Sequence, residues 1–81
     1  MNEADIFDRL KAILREHTAI KAEVTHDTAL IGQHLLDSMD FMNYLLAIET
    51  TWQITIPNED ITDQRLDVLK NMAAYVVKKT G

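Results

Sequence analysis

A histidine, an aspartate and a serine, three residue types that can do chemistry together, lie close in sequence at His34, Asp37 and Ser38. In a hydrolase triad the aspartate orients the histidine, which takes the proton of a nucleophilic serine. Triad members usually come from distant segments, and a helical domain of 81 residues lacks a pocket that could enclose a substrate and exclude water. We therefore expect no enzyme activity, with a small hydrolase using Ser38 and His34 as an alternative.

Other catalytic and metal-binding patterns are missing from the sequence. With two glycines and no cysteine, the chain has no glycine-rich phosphate loop, no thiolate zinc site and no cysteine nucleophile. Its histidines, His17, His26 and His34, are nine and eight residues apart, a spacing that matches no local metal-binding pattern. The sequence therefore predicts no metal site.

The charges are unevenly distributed along the chain. Residues 22–69 hold nine acids and one base, whereas residues 70–81 hold three lysines and no acid. Because phosphate binding needs clustered Lys and Arg, nucleic acid is not an expected partner. The longest apolar run, residues 72–77, is far shorter than the roughly 20 residues of a membrane span. No basic segment precedes an apolar stretch at the N-terminus, so we expect no secretory signal and a cytoplasmic protein.

Hydrophobic periodicity predicts three longer helices and one short helix. The longer helices are expected at Glu3–His17, Ser38–Trp52 and Val68–Lys79, and the short one at Glu59–Asp63. Polar residues that can cap a helix precede each of them. These are Asn2, Asp37, Asn58 and Asp67. In the second helix, the apolar stripe is expected to include Met42, Leu45, Leu46 and Trp52.

A polar loop of about 20 residues, 18–37, separates the first two helices, and loops of that length are often functional. No segment reads as a convincing strand. The predicted fold class is therefore all-α, a small four-helix bundle with a long loop between helices 1 and 2. The length allows one domain, which we place at residues 1–81.

The tetrapeptide Asp37-Ser38-Met39-Asp40 begins the second helix, at the end of the long loop. If Asp37 is the cap, the Ser38 hydroxyl is free and exposed. Backbone N–H groups in a first helical turn lack acceptors, so a phosphate ester on Ser38 would lie in a favourable field. The carboxylates of Asp37 and Asp40 would oppose it.

A longer pattern surrounds this tetrapeptide. It consists of Leu36-Asp37-Ser38-Met39-Asp40, Ala47-Ile48-Glu49, Trp52, Ile54, Ile56-Pro57 and Asn58-Glu59-Asp60. The order and spacing resemble the acyl carrier proteins and the peptidyl (aminoacyl, D-alanyl-type) carrier proteins, with Pro57 in the family's register 19 residues after Ser38. The resemblance covers the whole chain in length and helix order, and it is specific over residues 35–61.

The resemblance implies a function. Carrier proteins hold a 4′-phosphopantetheine arm on the motif serine, here Ser38, and the arm's thiol carries acyl or aminoacyl groups as thioesters. A phosphopantetheinyl transferase would place the arm from coenzyme A. The partners would be an acyl- or aminoacyl-loading ligase and a downstream acyltransferase or synthase. The chain itself would be a monomeric carrier and not an enzyme.

The family's partner contacts map onto the second helix and its surroundings. The corresponding residues are Asp37, Met39, Asp40, Met42, Leu46, Glu49 and Ile61. Met42 and Leu46 could equally be core residues, whereas Met39 is expected to be exposed. A carrier-like interaction module without the arm is the second alternative.

The chain also departs from the fatty-acid type of carrier. Asn43, Thr50 and Thr51 stand where that type has glutamates, and Leu35 replaces a glycine before the serine, which leaves the path of the loop open. The segment Leu35-Leu36-Asp37-Ser38-Met39 is similar to the D-alanyl and peptidyl branch. The resemblance therefore favours a stand-alone carrier of a specialised acyl or aminoacyl group.

Overall fold

The computed structural model describes residues 2–81, which form four helices. These are α1 (Glu3–His17), α2 (Ser38–Trp52), α3 (Asn58–Asp63) and α4 (Leu69–Thr80). The described residues contain no strand, and their only β-type pairing is one antiparallel bridge between Ala29 and Val68. The predicted bundle of three longer helices and one short helix is therefore confirmed.

Helix α1 packs against both α2 and α4 and provides one wall of the core. Its apolar side chains recur at helical spacing, so they share one face and are buried together. The buried residues of α1 are Ile6, Phe7, Leu10, Ile13 and Leu14. Asn2 caps the helix as predicted, since its side-chain oxygen accepts a hydrogen bond of 2.9 Å from the Asp5 N–H.

The long loop between α1 and α2 is fixed to the start of α4. Leu30, a fully buried residue, donates its N–H to the Asp67 carbonyl at 2.8 Å. In return, the N–H groups of Leu69 and Lys70 donate to the carbonyls of Thr28 and His26 at 3.1 and 2.9 Å. The loop therefore supplies acceptors for the first N–H groups of α4.

Two predicted helix caps are wrong. Asp67 does not cap α4, which begins at Leu69 without a side-chain cap, because loop carbonyls already occupy its first N–H groups. Asn58 does not cap α3 either, since it is itself the first helical residue. Pro57 precedes it, and its carbonyl accepts from the N–H of Asp60 at 3.1 Å.

Helix α2 buries only part of its apolar stripe. The helix buries Tyr44, Leu45 and Ile48, whereas Met42 and Leu46 are about half exposed, at 54% and 55%. Apolar residues occur on nearly every side of α2, so periodicity alone does not identify its inner face. Met39, Met42 and Leu46 therefore face solvent, whereas Phe41, Ala47 and Trp52 pack partly against the core.

Candidate functional site

Ser38 is the first residue of α2 and its side chain is exposed. The capping role belongs to Asp37, whose Oδ1 accepts a hydrogen bond of 2.8 Å from the Asp40 N–H. Within residues 2–81 the Ser38 hydroxyl makes no hydrogen bond. As predicted, the cap leaves the serine oxygen free to form an ester bond.

The loop reaches Ser38 through a tight turn. The carbonyl of Leu30 accepts from the N–H groups of Leu35 and Leu36 at 2.9 and 3.3 Å, and Leu36 is buried. His34 has a φ of 58°, a left-handed conformation that is uncommon for residues other than glycine. The turn therefore forms with Leu35 at the position of the family's glycine. The sequence alone had left the path of this loop open.

The hydrogen bonds of a hydrolase triad are not present among the residues described. His34 is exposed and is not joined to Ser38 or Asp37 by a hydrogen bond, and the Asp37 carboxylate is used for the cap. Residues 2–81 also contain no group of three His, Cys, Asp or Glu side chains that could hold a metal ion.

A row of exposed apolar side chains begins directly beside Ser38. Met39, Met42 and Leu46 are 74%, 54% and 55% exposed, and their spacing of three and four residues places them along one side of α2. We call these three residues the methionine face. The sequence left Met42 and Leu46 undecided between core and surface, and the structure places both at the surface.

The other residues expected at the partner surface have contacts within the chain. Asp40 is half-buried, and its Oδ2 accepts from the Ala19 N–H of the long loop at 3.4 Å. Glu49 is also half-buried, and its Oε2 accepts from the Ile56 N–H at 2.7 Å. Ile61, on α3, packs partly against the core. The two carboxylates therefore fix the segments on either side of α2.

A crevice of about 280 Å³ opens between the long loop, α2 and α3. Ile31, Phe41 and Ile61 give it apolar walls, and Arg65 and Asp67 give it charged groups. Sequence reasoning missed this site. Asp67 is a lone acidic residue in a turn, and its only sequence signal suggested a helix cap.

Tyr44 lies in the core beneath this region. It is fully buried, and its hydroxyl has no hydrogen-bond partner among the described residues. Burial, and after it the negative charge of Asp67, raises the pKa of the Tyr44 hydroxyl well above its ordinary value. Tyr44 is therefore a neutral core residue at all physiological pH values.

Comparison with known proteins identifies the family. The chain is 33% identical over 82 residues to an acyl carrier protein of Guillardia theta, an alignment that covers 100% of this chain and 99% of that protein. The acyl carrier protein of Onion yellows phytoplasma is 29% identical over 76 residues, covering 93% of this chain and 97% of that protein. That of Helicobacter hepaticus is 29% identical over 73 residues, covering 89% and 93%. No family model matches the chain, and no solved structure gives a significant match.

The chain belongs to the acyl carrier protein family, and the resemblance found in the sequence is confirmed. Acyl carrier proteins are non-catalytic carriers with a covalently attached 4′-phosphopantetheine group. An exposed serine hydroxyl without an internal hydrogen bond, at the start of a helix, fits the attachment of such a group. None of the helices within residues 2–81 has the length and apolar character to cross a membrane.

Proposed function

We propose that this chain holds acyl or aminoacyl groups as thioesters on a 4′-phosphopantetheine arm attached to Ser38, and presents them to partner enzymes. The observation that supports the proposal most directly is the accessibility of the Ser38 hydroxyl. Its hydroxyl is exposed and free, because Asp37 provides the cap of α2. The arm supplies the thiol that this cysteine-free chain lacks.

The surroundings of Ser38 suit a phosphodiester. The first turn of a helix has N–H groups that point outward and a partial positive charge, both of which favour a phosphate. Asp37 and Asp40 work against it, but both carboxylates accept backbone hydrogen bonds, from Asp40 and Ala19 respectively. Those bonds hold one oxygen of each carboxylate against a backbone N–H.

The methionine face is the proposed contact for the phosphopantetheinyl transferase and then for the loading ligase and a downstream acyltransferase or synthase. An enzyme that reaches the Ser38 oxygen must cover Met39 and approach Met42, which lies one helical turn along α2. Methionine side chains are flexible and adapt to several partners. Asp37 borders this face, whereas Asp40, Glu49 and Ile61 contribute mainly by fixing its surroundings.

The composition of α2 favours a specialised cargo pathway over fatty-acid synthesis. Between Asp40 and Glu49 the helix has no charged residue. A partner enzyme would therefore contact this part of α2 through apolar side chains and not through a basic patch. The proposal includes a single carrier domain over residues 1–81, a monomeric state and a cytoplasmic location. Size-exclusion chromatography with light scattering and cell fractionation would check the last two.

The decisive experiment is an intact-mass spectrum before and after incubation with coenzyme A, Mg²⁺ and a broad-specificity phosphopantetheinyl transferase. We expect the wild type to gain the mass of one phosphopantetheine and Ser38→Ala to gain nothing. Circular dichroism should show that the variant keeps its helices, since Ser38 is exposed. No gain by a folded wild type would instead favour an interaction module that binds partners through the methionine face.

A further inference from the structure

Two methionines of the described residues are open to solvent, and both belong to the methionine face. Met39 is 74% exposed and Met42 is 54% exposed, whereas Met72, on α4, is fully buried. The chain has no cysteine, so its thioethers are the only sulfur that an oxidant can meet before the arm is attached. An oxidant in the surrounding water can therefore contact Met39 and Met42 directly, but it reaches Met72 only when the fold opens.

Both exposed thioethers lie close to Ser38 on α2. Met39 is the next residue, and Met42 follows Ser38 by four residues, which is about one helical turn. Residues three and four positions apart are neighbours on a helix surface, so Met42 lies beside both Ser38 and Met39. A chemical change at these two side chains would alter the surface that an enzyme must cover to reach the Ser38 oxygen.

Hydrogen peroxide converts a methionine thioether into a sulfoxide. A lone pair of the sulfur attacks one peroxide oxygen, the O–O bond breaks, and a sulfur–oxygen bond forms. The other peroxide oxygen takes up the proton of the first and leaves as water. The sulfur loses two electrons and the peroxide gains them, so the reaction needs no further reactant.

A sulfoxide would change the methionine face and leave the core intact. The new oxygen is polar and accepts hydrogen bonds from water, and an apolar partner surface would have to remove that water. The residues that α2 buries are Tyr44, Leu45 and Ile48, and neither exposed methionine is among them. Oxidation at these positions should therefore weaken docking while the helices remain folded. Leu46, the third member of the face, has no sulfur and stays apolar.

We propose that Met39 and Met42 form a reversible oxidation site, through which peroxide lowers the loading of this carrier. The inference rests on the proposed function, because its effect is read as the rate of phosphopantetheine transfer to Ser38. Methionine sulfoxide reductases convert the sulfoxide back to the thioether, so the loss is reversible. Under oxidising conditions, newly made protein would remain without its arm until the two thioethers are restored.

The first measurement follows oxidation of each methionine in the full chain before the arm is attached. The protein is exposed to dilute hydrogen peroxide, catalase removes the excess, and peptide mapping by mass spectrometry gives the sulfoxide fraction at each position. We expect Met39 and Met42 to react many times faster than the buried Met72. Met1 lies outside the described residues and is measured on a separate peptide. Oxidation of Met72 as fast as that of Met39 would overturn the inference, since exposure would not select the site.

The second measurement compares the loading of oxidised and untreated protein. Each form is incubated with coenzyme A, Mg²⁺ and the phosphopantetheinyl transferase, and intact mass gives the rate of transfer. We expect a several-fold lower rate for the oxidised form, with an unchanged circular dichroism spectrum. Treatment with both methionine sulfoxide reductases, one for each sulfoxide epimer, should restore the rate. A loss of helix on oxidation would overturn the inference, because the effect would then come from unfolding.

Leucine variants connect the effect to the two sulfur atoms. Leucine has a similar volume to methionine and cannot form a sulfoxide. A protein with Met39→Leu and Met42→Leu together should transfer at the same rate before and after peroxide, whereas Met72→Leu should lose rate as the wild type does. Each variant is compared with its own untreated form, so a change in its basal rate does not enter. If the double variant does not load, Met39→Leu and Met42→Leu are tested singly, and each should lose part of the peroxide effect.

The outcomes separate this inference from the proposed function. If the untreated wild type gains no phosphopantetheine, the proposed function is contradicted and this inference with it. If the wild type loads equally fast with and without sulfoxide at Met39 and Met42, the inference alone is overturned. A double leucine variant that still loses rate after peroxide would also overturn it, because another group would then be responsible.

Discussion

The Tyr75 hydroxyl donates a hydrogen bond of 2.7 Å to Asp60 Oδ2 and so joins α4 to α3. Tyr75 is buried, and α3 buries no residue of its own completely. Short helices are weak in isolation, so α3 depends on contacts such as this one for its position. The same helix carries Ile61, a wall of the crevice beside Ser38.

Replacing Tyr75 should weaken the fold and change its response to alkali. Burial, followed by the hydrogen bond to Asp60, raises the pKa of Tyr75 to about 12 from its ordinary value of 10.0. The folded state therefore holds the phenol proton more tightly than the unfolded state, and this stability is full below pH 10 and declines as pH rises through about 12. We expect Tyr75→Phe to lose about 1 kcal/mol at pH 7.

Urea unfolding at pH 7 and pH 11 would measure both effects. The wild type should lose more stability between these two pH values than Tyr75→Phe does, because the variant lacks the titrating group. Tyr44 is present in both proteins and serves as an internal control, since its pKa is also raised. An equal loss in the two proteins would show that Tyr75 does not titrate differently on unfolding.

Leu30 should contribute as much to stability as a residue of a helical core. It lies in the long loop, yet it is fully buried and its N–H donates to the Asp67 carbonyl at 2.8 Å. Removing a buried leucine side chain typically costs about 2–5 kcal/mol, so Leu30→Ala should lower the thermal midpoint strongly. Lys70→Ala, which removes the exposed ion pair with Asp27, is the control and should cost less than about 1 kcal/mol.

Differential scanning calorimetry of Leu30→Ala and Lys70→Ala would measure the loss of stability in each variant. Similar small losses for Leu30→Ala and Lys70→Ala would mean that the loop is not part of the core.

Glu49 is expected to act within the fold. Its Oε2 accepts a hydrogen bond of 2.7 Å from the Ile56 N–H, which holds the segment between α2 and α3. A hydrogen bond to a charged group contributes about 1.5–3 kcal/mol, and Glu49→Ala should lose roughly that amount. Hydrogen exchange at the Ile56 amide should become faster. As a control, Glu23→Ala removes an exposed acid of the loop and should change neither the stability nor the exchange rate of the Ile56 amide. An unchanged Ile56 exchange rate in Glu49→Ala would refute the structural role of Glu49.

Met39→Glu should impair modification of Ser38 without unfolding the protein. Met39 is 74% exposed and directly follows Ser38, so a charge there alters the surface that the transferase must cover. We expect the rate of phosphopantetheine transfer to fall at least about tenfold, which corresponds to ~1.4 kcal/mol of lost contact energy. The thermal midpoint of the variant should stay close to that of the wild type. Thr51→Glu places the same charge at an exposed position of α2 outside the methionine face and should leave the rate nearly unchanged. Equal rates for Met39→Glu and the wild type would argue against this contact.

The elements that follow local rules were predictable from the sequence. Helices α1 and α2 combine a capping side chain with helical apolar spacing, and both of their predicted bounds agree with the structure. The exposure of Ser38 followed from the capping role of Asp37 in the same way.

Features that depend on distant contacts were not predictable. Asp67 has the position of a cap, but the carbonyls of Thr28 and His26, about 40 residues earlier, satisfy the start of α4 instead. The orientation of α2 depends on which apolar face α1 and the core accept, so Met42 and Leu46 could not be assigned. The crevice arises from three segments and has no local signal at all.

The bridge between Ala29 and Val68 also has a consequence for the order of folding. It encloses residues 30–67, and closing a loop of about 38 residues costs roughly 3 kcal/mol in chain entropy beyond a constant term. Contacts with so high a cost in loop closure tend to form late, after local helices exist. The enclosed segment contains Ser38, the methionine face and the walls of the crevice, so opening the bridge would loosen the constraint on all three together.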